Sequence, residues 1–144
     1  MATSIQVTFD CADPDRLAQF WGAVLGYRIP DPPQGFETWE EWASASGIPK
    51  DQWNAAGALE DPEGIGPRIY FQRVPEPKVV KNRVHLDVNV GGGRSTPLEQ
   101  RKANVRREVQ RLLGLGATEV GPMEQGDEYW VVMQDPEGNE FCLQ

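Results

Sequence analysis

Polar and apolar residues alternate from position 5 to position 11. Ile5, Val7, Phe9 and Cys11 fall on one side, and Gln6, Thr8 and Asp10 on the other. A period of two marks a strand with one buried face. The alternation returns at 83–90, where Val84, Leu86, Val88 and Val90 alternate with Arg83, His85, Asp87 and Asn89. A second face that carries such a mixed polar set is either solvated or lines a pocket. After each strand the period becomes that of a helix. Leu17, Phe20, Trp21, Val24 and Leu25 recur at i, i+3, i+4, i+7 and i+8, a stripe suited to covering a sheet. Asp13 suits the N-cap, Pro14 the first helical position and Gly26 the stop. The second helix buries Val105, Val109, Leu112 and Leu113 and carries arginines outside.

The punctuation between these elements also repeats. Leu25-Gly26 is followed by Asp61-Pro62-Glu63-Gly64 and a strand at 68–74; Leu115-Gly116 is followed by Asp135-Pro136-Glu137-Gly138 and a strand at 140–144. Each tetrapeptide fits a type I turn, with Asp first, Pro preset second and Gly fourth, and so predicts antiparallel neighbours. The pattern predicts one α+β domain over 1–144 built from two βαβββ modules, 1–78 and 79–144. Their strands form a curved mixed sheet around a concave cleft, with the helices on the outer face. Leu25 to Asp61 is 36 positions and Leu115 to Asp135 is 20, so the first half is longer by 36 − 20 = 16. The surplus is assigned to an inserted segment at 30–59. Within it Thr38-Trp39-Glu40-Glu41 has capping-box spacing, which predicts a short helix ending near Gly47. Residues 49–53 read as a further helical turn, and Gly91-Gly92-Gly93 as a mobile loop.

Composition narrows the function. Fourteen Lys and Arg against 22 Asp and Glu leave a net charge of −8, which would repel a phosphate backbone, so no nucleic-acid partner is expected. No apolar run approaches the length that spans a bilayer, and residues 1–4 lead into a strand rather than a secretory leader, so no membrane partner is expected. The two cysteines, Cys11 and Cys142, lie at opposite ends without CxxC spacing, and a reduced cytoplasmic protein is expected. Trp39 and Trp42 share a helix face. With Trp53 they either pack the insertion onto the sheet or form an aromatic lid over a ligand.

Several of these segments together resemble a known family. They are Phe9-Asp10-Cys11-Ala12-Asp13-Pro14 with Phe20-Trp21 and Leu25-Gly26; Gly35-Phe36-Glu37 with Trp39-Glu40-Glu41; Trp53-Asn54-Ala55-Ala56; Tyr70-Phe71-Gln72-Arg73; Asn82-Arg83-Val84-His85-Leu86-Asp87; and Asp135-Pro136-Glu137-Gly138-Asn139-Glu140-Phe141-Cys142. This ordered set resembles the vicinal oxygen chelate superfamily of glyoxalases, bleomycin-resistance proteins and extradiol dioxygenases, and more narrowly its actinobacterial glyoxalase-like branch. The resemblance implies paired βαβββ modules. It also implies a divalent-ion site in metal-dependent members, with ligands from the first and last strand of each module. Here those positions fall on Gln6, Gln72, His85 and Cys142, a set poor in the carboxylates and imidazoles that offset an ion's dehydration. No metal and no other cofactor are therefore expected, although a soft metal at His85 and Cys142 remains the alternative.

His85 is the only histidine and shares a strand face with Asp87, so Asp87 either tunes it as a general base or the two are a satisfied pair. The predicted ligand-binding set is Gln6, Thr8, Gln72, His85, Asp87 and Cys142 with the three insertion tryptophans. His85 and Asp87 are the catalytic candidates. The leading expectation is a metal-independent small-molecule binder that sequesters a drug or metabolite, as a homodimer. One alternative is a glyoxalase-type lyase or isomerase, metal-dependent or using His85 and Asp87. The other is an interaction domain with a vestigial cleft.

Overall fold

A computed structural model describes residues 1–144, which divide into two compact units, Met1–Pro77 and Lys78–Gln144. The first unit runs β1 (Gln6–Cys11), α1 (Pro14–Leu25), α2 (Trp39–Ala45), a 3-10 turn (Lys50–Gln52), β2 (Ala56–Leu59) and β3 (Arg68–Arg73). Its sheet has the order β1-β3-β2, with β1 parallel and β2 antiparallel to β3. The second unit runs β4 (Asp87–Val88), α3 (Leu98–Leu113), β5 (Thr118–Gln125), β6 (Glu128–Gln134) and β7 (Glu140–Leu143). Its order is β4-β7-β6-β5, again with first and last strands parallel and the rest antiparallel. The fold is thus α+β, with two mixed sheets and three α-helices.

The two units share a topology that the strand count of the first conceals. In the second unit α3 leads into β5, which pairs with β6. In the first, α1 leads to a single antiparallel bridge, Arg28 to Glu60 at the end of β2, and this bridge stands where β5 stands in the other unit. Each Asp-Pro-Glu-Gly turn then joins the last two strands of its unit. The fourth-residue N–H donates to the first-residue carbonyl, Gly64 to Asp61 at 3.0 Å and Gly138 to Asp135 at 2.9 Å.

Strand parity follows the alternation in the sequence. Phe9 packs against Trp21 and Phe71, while Gln6, Thr8 and Asp10 are exposed on the opposite face. In the second unit Val131, Met133, Phe141 and Leu143 are buried along with Val105, Val109 and Leu112 of α3. Two ends fray. Ile5 (71% exposed) precedes β1, and Val84 (82%) lies before the regular part of its strand. Only Asp87–Val88 are regular there, although Cys142 N–H still donates to the Leu86 carbonyl and Val90 N–H to the Gln144 carbonyl.

Capping works largely as expected. Asp13 accepts from the Arg16 N–H at the start of α1 and also from the Asn54 side chain at 2.8 Å. Asn54 Oδ1 in turn accepts from the Asp15 N–H, which ties the end of the insertion to the helix start. Thr38 Oγ1 accepts from the Glu41 N–H, but Glu41 reaches back to the Glu37 N–H rather than to that of Thr38. The segment 30–59, read as wholly inserted, contains β2 at its end, because Ala56–Leu59 pair with β3.

Candidate functional site

The second unit holds a cleft of about 730 Å³ whose floor is one face of its sheet. The face is set by parity. Glu140, Cys142 and Gln144 come from β7 and its end, and Glu128, Trp130 and Val132 from β6. His85, Asp87 and Asn89 come from the segment around β4. The intervening Val131, Met133, Phe141 and Leu143 are core. The helix α3 covers that core, so the side chains on the other face are left to line the cleft.

At one end three side chains meet. His85 Nε2 lies 3.4 Å from Asp87 Oδ1. Asp87 is directly opposite Cys142 in the parallel register of β4 and β7. Donor atoms of the three lie within 4.8 Å of one another. Cys142 is buried; burial pushes its thiol up to about 11, and the Asp87 charge and the thiol's hydrogen bond to that carboxylate push the same way against a weaker pull from Lys81. The thiol is therefore protonated at neutral pH, and Asp87 accepts from it on one side and faces the imidazole on the other.

Near this end the chain between 78 and 85 has no regular structure, and Glu140 anchors it. Glu140 Oε2 accepts from the Asn82 N–H at 2.9 Å and meets Lys78 Nζ at 3.2 Å; its own carbonyl accepts from the Asn82 side chain. Burial pushes the Glu140 carboxyl up, but the Asn82 N–H, its own backbone N–H and Lys78 outweigh this and hold it at about 2. A carboxyl depressed below its ordinary 4.5 stabilises the fold above that value, and the contribution is lost as pH falls from about 4.5 through about 2. Glu140→Gln is expected to cost about 1–2 kcal/mol at pH 7 and little at pH 2, and to speed hydrogen exchange at Asn82. Equal costs at both pH values would refute this.

The other predicted site residues lie in the first unit. Gln6, Thr8 and Gln72 share the polar face of its sheet, where Thr8 pairs with Tyr70 and Asp10 with Gln72. Trp39 and Trp42 meet edge to face at 5.5 Å. The indole N–H groups of Trp39 and Trp53 donate to the carbonyls of Pro30 and Ile48, within the same segment. The structure thus brings His85, Asp87 and Cys142 together in the second unit. Sequence reasoning assigned no role to Lys81, Glu128, Tyr129 or Glu140 in this cleft. The available signal for Glu140 and Glu128 was parity, since Glu140 is two residues from Cys142 and Glu128 two from Trp130.

Residues 6–144 match the family described as the glyoxalase-like domain. The chain belongs to this family. It is thereby a member of the vicinal oxygen chelate superfamily, whose fold the solved structures also show. The glyoxalase-like chain is similar to a glyoxalase/bleomycin resistance protein/dioxygenase family enzyme from Burkholderia phytofirmans PsJN, at 18% identity and TM-score 0.61, over 96% of this chain and 94% of that one. It is similar to the fosfomycin resistance protein FosX from Mesorhizobium loti, at 12% identity and TM-score 0.61, over 100% and 91%. It is also similar to a FosX mutant from Listeria monocytogenes complexed with Mn(II) and 1S,2S-dihydroxypropylphosphonic acid, at 11% identity and TM-score 0.64, over 100% and 92%. No curated protein sequence matches the chain. No helix is long and apolar enough to cross a membrane.

The superfamily's divalent ion can be tested against the residues present. Gln6 Oε1 accepts from Arg68 Nη1 at 2.7 Å, so this amide already faces a cation. Gln72 is a second neutral amide, exposed on β3. Neither brings charge to offset an ion's dehydration. The remaining two donors, the His85 imidazole and the Cys142 thiol, lie with the Asp87 carboxylate within 4.8 Å of one another. Two of the four family positions of this glyoxalase-like domain, Gln6 and Gln72, do not fit a divalent ion.

Proposed function

We propose that the chain is a metal-independent small-molecule binding protein that sequesters a drug or metabolite in the cleft of its second unit. The observation that carries this reading is the closed group at the end of the cleft. Asp87 already takes the Cys142 thiol and faces the His85 imidazole, beside a wall that includes Tyr129 and Trp130. Such a site offers hydrogen-bond partners for a polar group and aromatic area for a planar one, which is the usual make-up of a small-molecule pocket.

Elemental analysis of protein purified without chelators or a histidine tag is expected to find no stoichiometric nickel, zinc, iron or manganese. His85→Ala is expected to leave metal at background while weakening a ligand found by thermal-shift screening. Near one equivalent of metal, lost in His85→Ala, overturns the reading.

A second reading is favoured by one observation, the approach of His85, Asp87 and Cys142 donors to within 4.8 Å. It makes the protein a glyoxalase-type lyase or isomerase. Either the three residues hold a soft metal, or His85 acts as a base oriented by Asp87 without one. The same elemental analysis separates the two forms.

A cytoplasmic homodimer belongs to the proposal as well. Each sheet has open edges, and β5 carries Val120 and Met123, 60% and 50% exposed. Pairing with a second copy removes such a liability. Light scattering at high concentration is expected to give twice the chain mass, and a monomer there refutes it.

A further inference from the structure

We infer that the ligand of the second-unit cleft is an uncharged molecule with a lactam-type edge, a carbonyl beside an N–H. This rests on the small-molecule binding reading above and names its ligand class. Charge is the first argument. The side chains lining the cleft include three cations, Lys81, Arg94 and Arg101, and three carboxylates, Asp87, Glu128 and Glu140. Glu128 meets Arg94 at 3.2 Å and Arg101 at 3.7 Å, and Glu140 meets Lys78 at 3.2 Å. The lining is balanced and holds no surplus that favours an ion of either sign.

The second argument is a row of side chains across the floor. In the parallel register Asp87 stands opposite Cys142 and Val88 opposite Leu143, so Asn89 stands opposite Gln144. The backbone fixes this pairing on both sides of Asn89. The Gln144 N–H donates to the Val88 carbonyl at 3.0 Å, and the Val90 N–H to the Gln144 carbonyl at 2.8 Å. Between the side chains, Gln144 Nε2 donates to Asn89 Oδ1 at 3.0 Å. A carboxamide carries an NH2 donor group and a carbonyl acceptor. The bond takes the donor of one amide and the acceptor of the other, which leaves Asn89 Nδ2 and Gln144 Oε1 for a ligand. If both amides turn over, the pair still keeps one donor group and one acceptor. Val131 pairs with Leu143, so Trp130 stands beside Gln144 in the same row. The indole N–H groups of Trp39 and Trp53 are taken by carbonyls of their own segment. That of the half-buried Trp130 has no partner in the chain and is a further donor in the cleft.

A lactam answers this row. Its carbonyl accepts from Asn89 Nδ2 or the Trp130 N–H, and its N–H donates to Gln144 Oε1. Its ring gains apolar contact with Trp130 and Val132, which line the same floor. A ligand without the N–H covers the Gln144 carbonyl and displaces its water without replacing it, which weakens binding. An ion of the same shape gives up its hydration to a lining without net opposite charge.

The test uses probes of one fused-ring shape: 2-quinolone, 1-methyl-2-quinolone, 2-naphthoate and 2-aminoquinoline. Binding to the full chain is read by calorimetry and by two-dimensional NMR, which resolves the side-chain amides of Asn89 and Gln144 and the indole N–H of Trp130. The expected result is that 2-quinolone shifts these three signals. It should bind about 5-fold tighter than 1-methyl-2-quinolone, which lacks the donor, and tighter than 2-naphthoate. Asn89→Asp turns the pair into two acceptors. Protonated 2-aminoquinoline, with two donors, should then overtake 2-quinolone, whereas the parent protein prefers 2-quinolone. The backbone spectrum of the variant is the control for folding. Binding of 1-methyl-2-quinolone as tight as that of 2-quinolone overturns the lactam edge, and tighter binding of 2-naphthoate overturns the uncharged class. An equal gain in Asn89→Asp for the N,N-dimethyl derivative of 2-aminoquinoline, which keeps the charge and loses a donor, also overturns the edge. Binding of another compound from a thermal-shift screen at these residues, with none of the probes bound, overturns the ligand class while leaving the small-molecule reading standing. A screen in which nothing shifts the cleft residues overturns both.

Discussion

Asp135→Ala is expected to destabilise the protein by about 2–4 kcal/mol, among the largest effects of any polar substitution in the chain. Asp135 is 3% exposed. Its Oδ1 accepts from the N–H groups of Glu137 and Asn139 at 2.9 and 3.0 Å, and its Oδ2 from the Asn139 side chain at 2.8 Å. Alanine strips these donors of their acceptor in a place that water reaches poorly, so the whole desolvation penalty is felt. Asp135→Asn keeps one acceptor oxygen and should cost about half as much.

The matching position in the first unit is the control. Asp61 also accepts three backbone N–H groups, from Glu63, Ile65 and Gly66 at 2.9, 3.0 and 2.7 Å. That turn is more open to solvent, however, with Glu63, Gly64 and Ile65 exposed. Water can replace the lost acceptor there, and Asp61→Ala should cost clearly less than Asp135→Ala. Urea titration of both variants decides the matter, and an equal or larger loss for Asp61→Ala would refute the argument from burial.

Trp21→Ala is expected to cost more, about 3–5 kcal/mol. The indole is 1% exposed and has ring neighbours on two sides, Phe9 at 5.1 Å and Phe20 at 5.7 Å, the latter edge to face. Its removal opens a cavity beside Phe9 and Phe20. Trp21→Phe retains a tilted ring contact with Phe9 and should recover about half of the loss. The readout is again the denaturation midpoint, with hydrogen exchange of β1 and β3 amides to place the effect in the first unit. A Trp21→Ala variant within 1 kcal/mol of the parent would show that the cavity collapses.

Much of the fold was legible in the sequence. The two-residue period at 5–11 and the helical stripe from Leu17 to Leu25 are local signals, because a strand or helix writes its buried face directly into residue spacing. Asp13, Pro14 and Gly26 act where expected because caps and turns are satisfied within a few residues. The repeated turns are legible for the same reason. Less legible was the strand before Asp87. Its alternation begins at Arg83, yet the ladder is regular only at Asp87–Val88, since pairing depends on how far β7 extends rather than on the strand's own residues.

The site divides along the same line. That His85 and Asp87 share a face is a property of one strand, and the sequence by itself determined it. That Cys142 joins them was decided by the parallel register of β4 with β7, in which Asp87 stands opposite Cys142 across 55 positions of chain, 142 − 87 = 55. The same register turned Asp87 from a residue that tunes a histidine into the acceptor of a buried thiol. Glu140 and Lys81 are ordinary surface residue types by composition. Only the path of the irregular segment 78–85 over the end of β7 gave one an anchoring bond to Asn82 and left the other without a carboxylate. Spacing encodes which way a side chain points, because that depends on the backbone a few residues either side. Which side chains meet depends on strand pairing between distant segments, and the tertiary structure alone decided that.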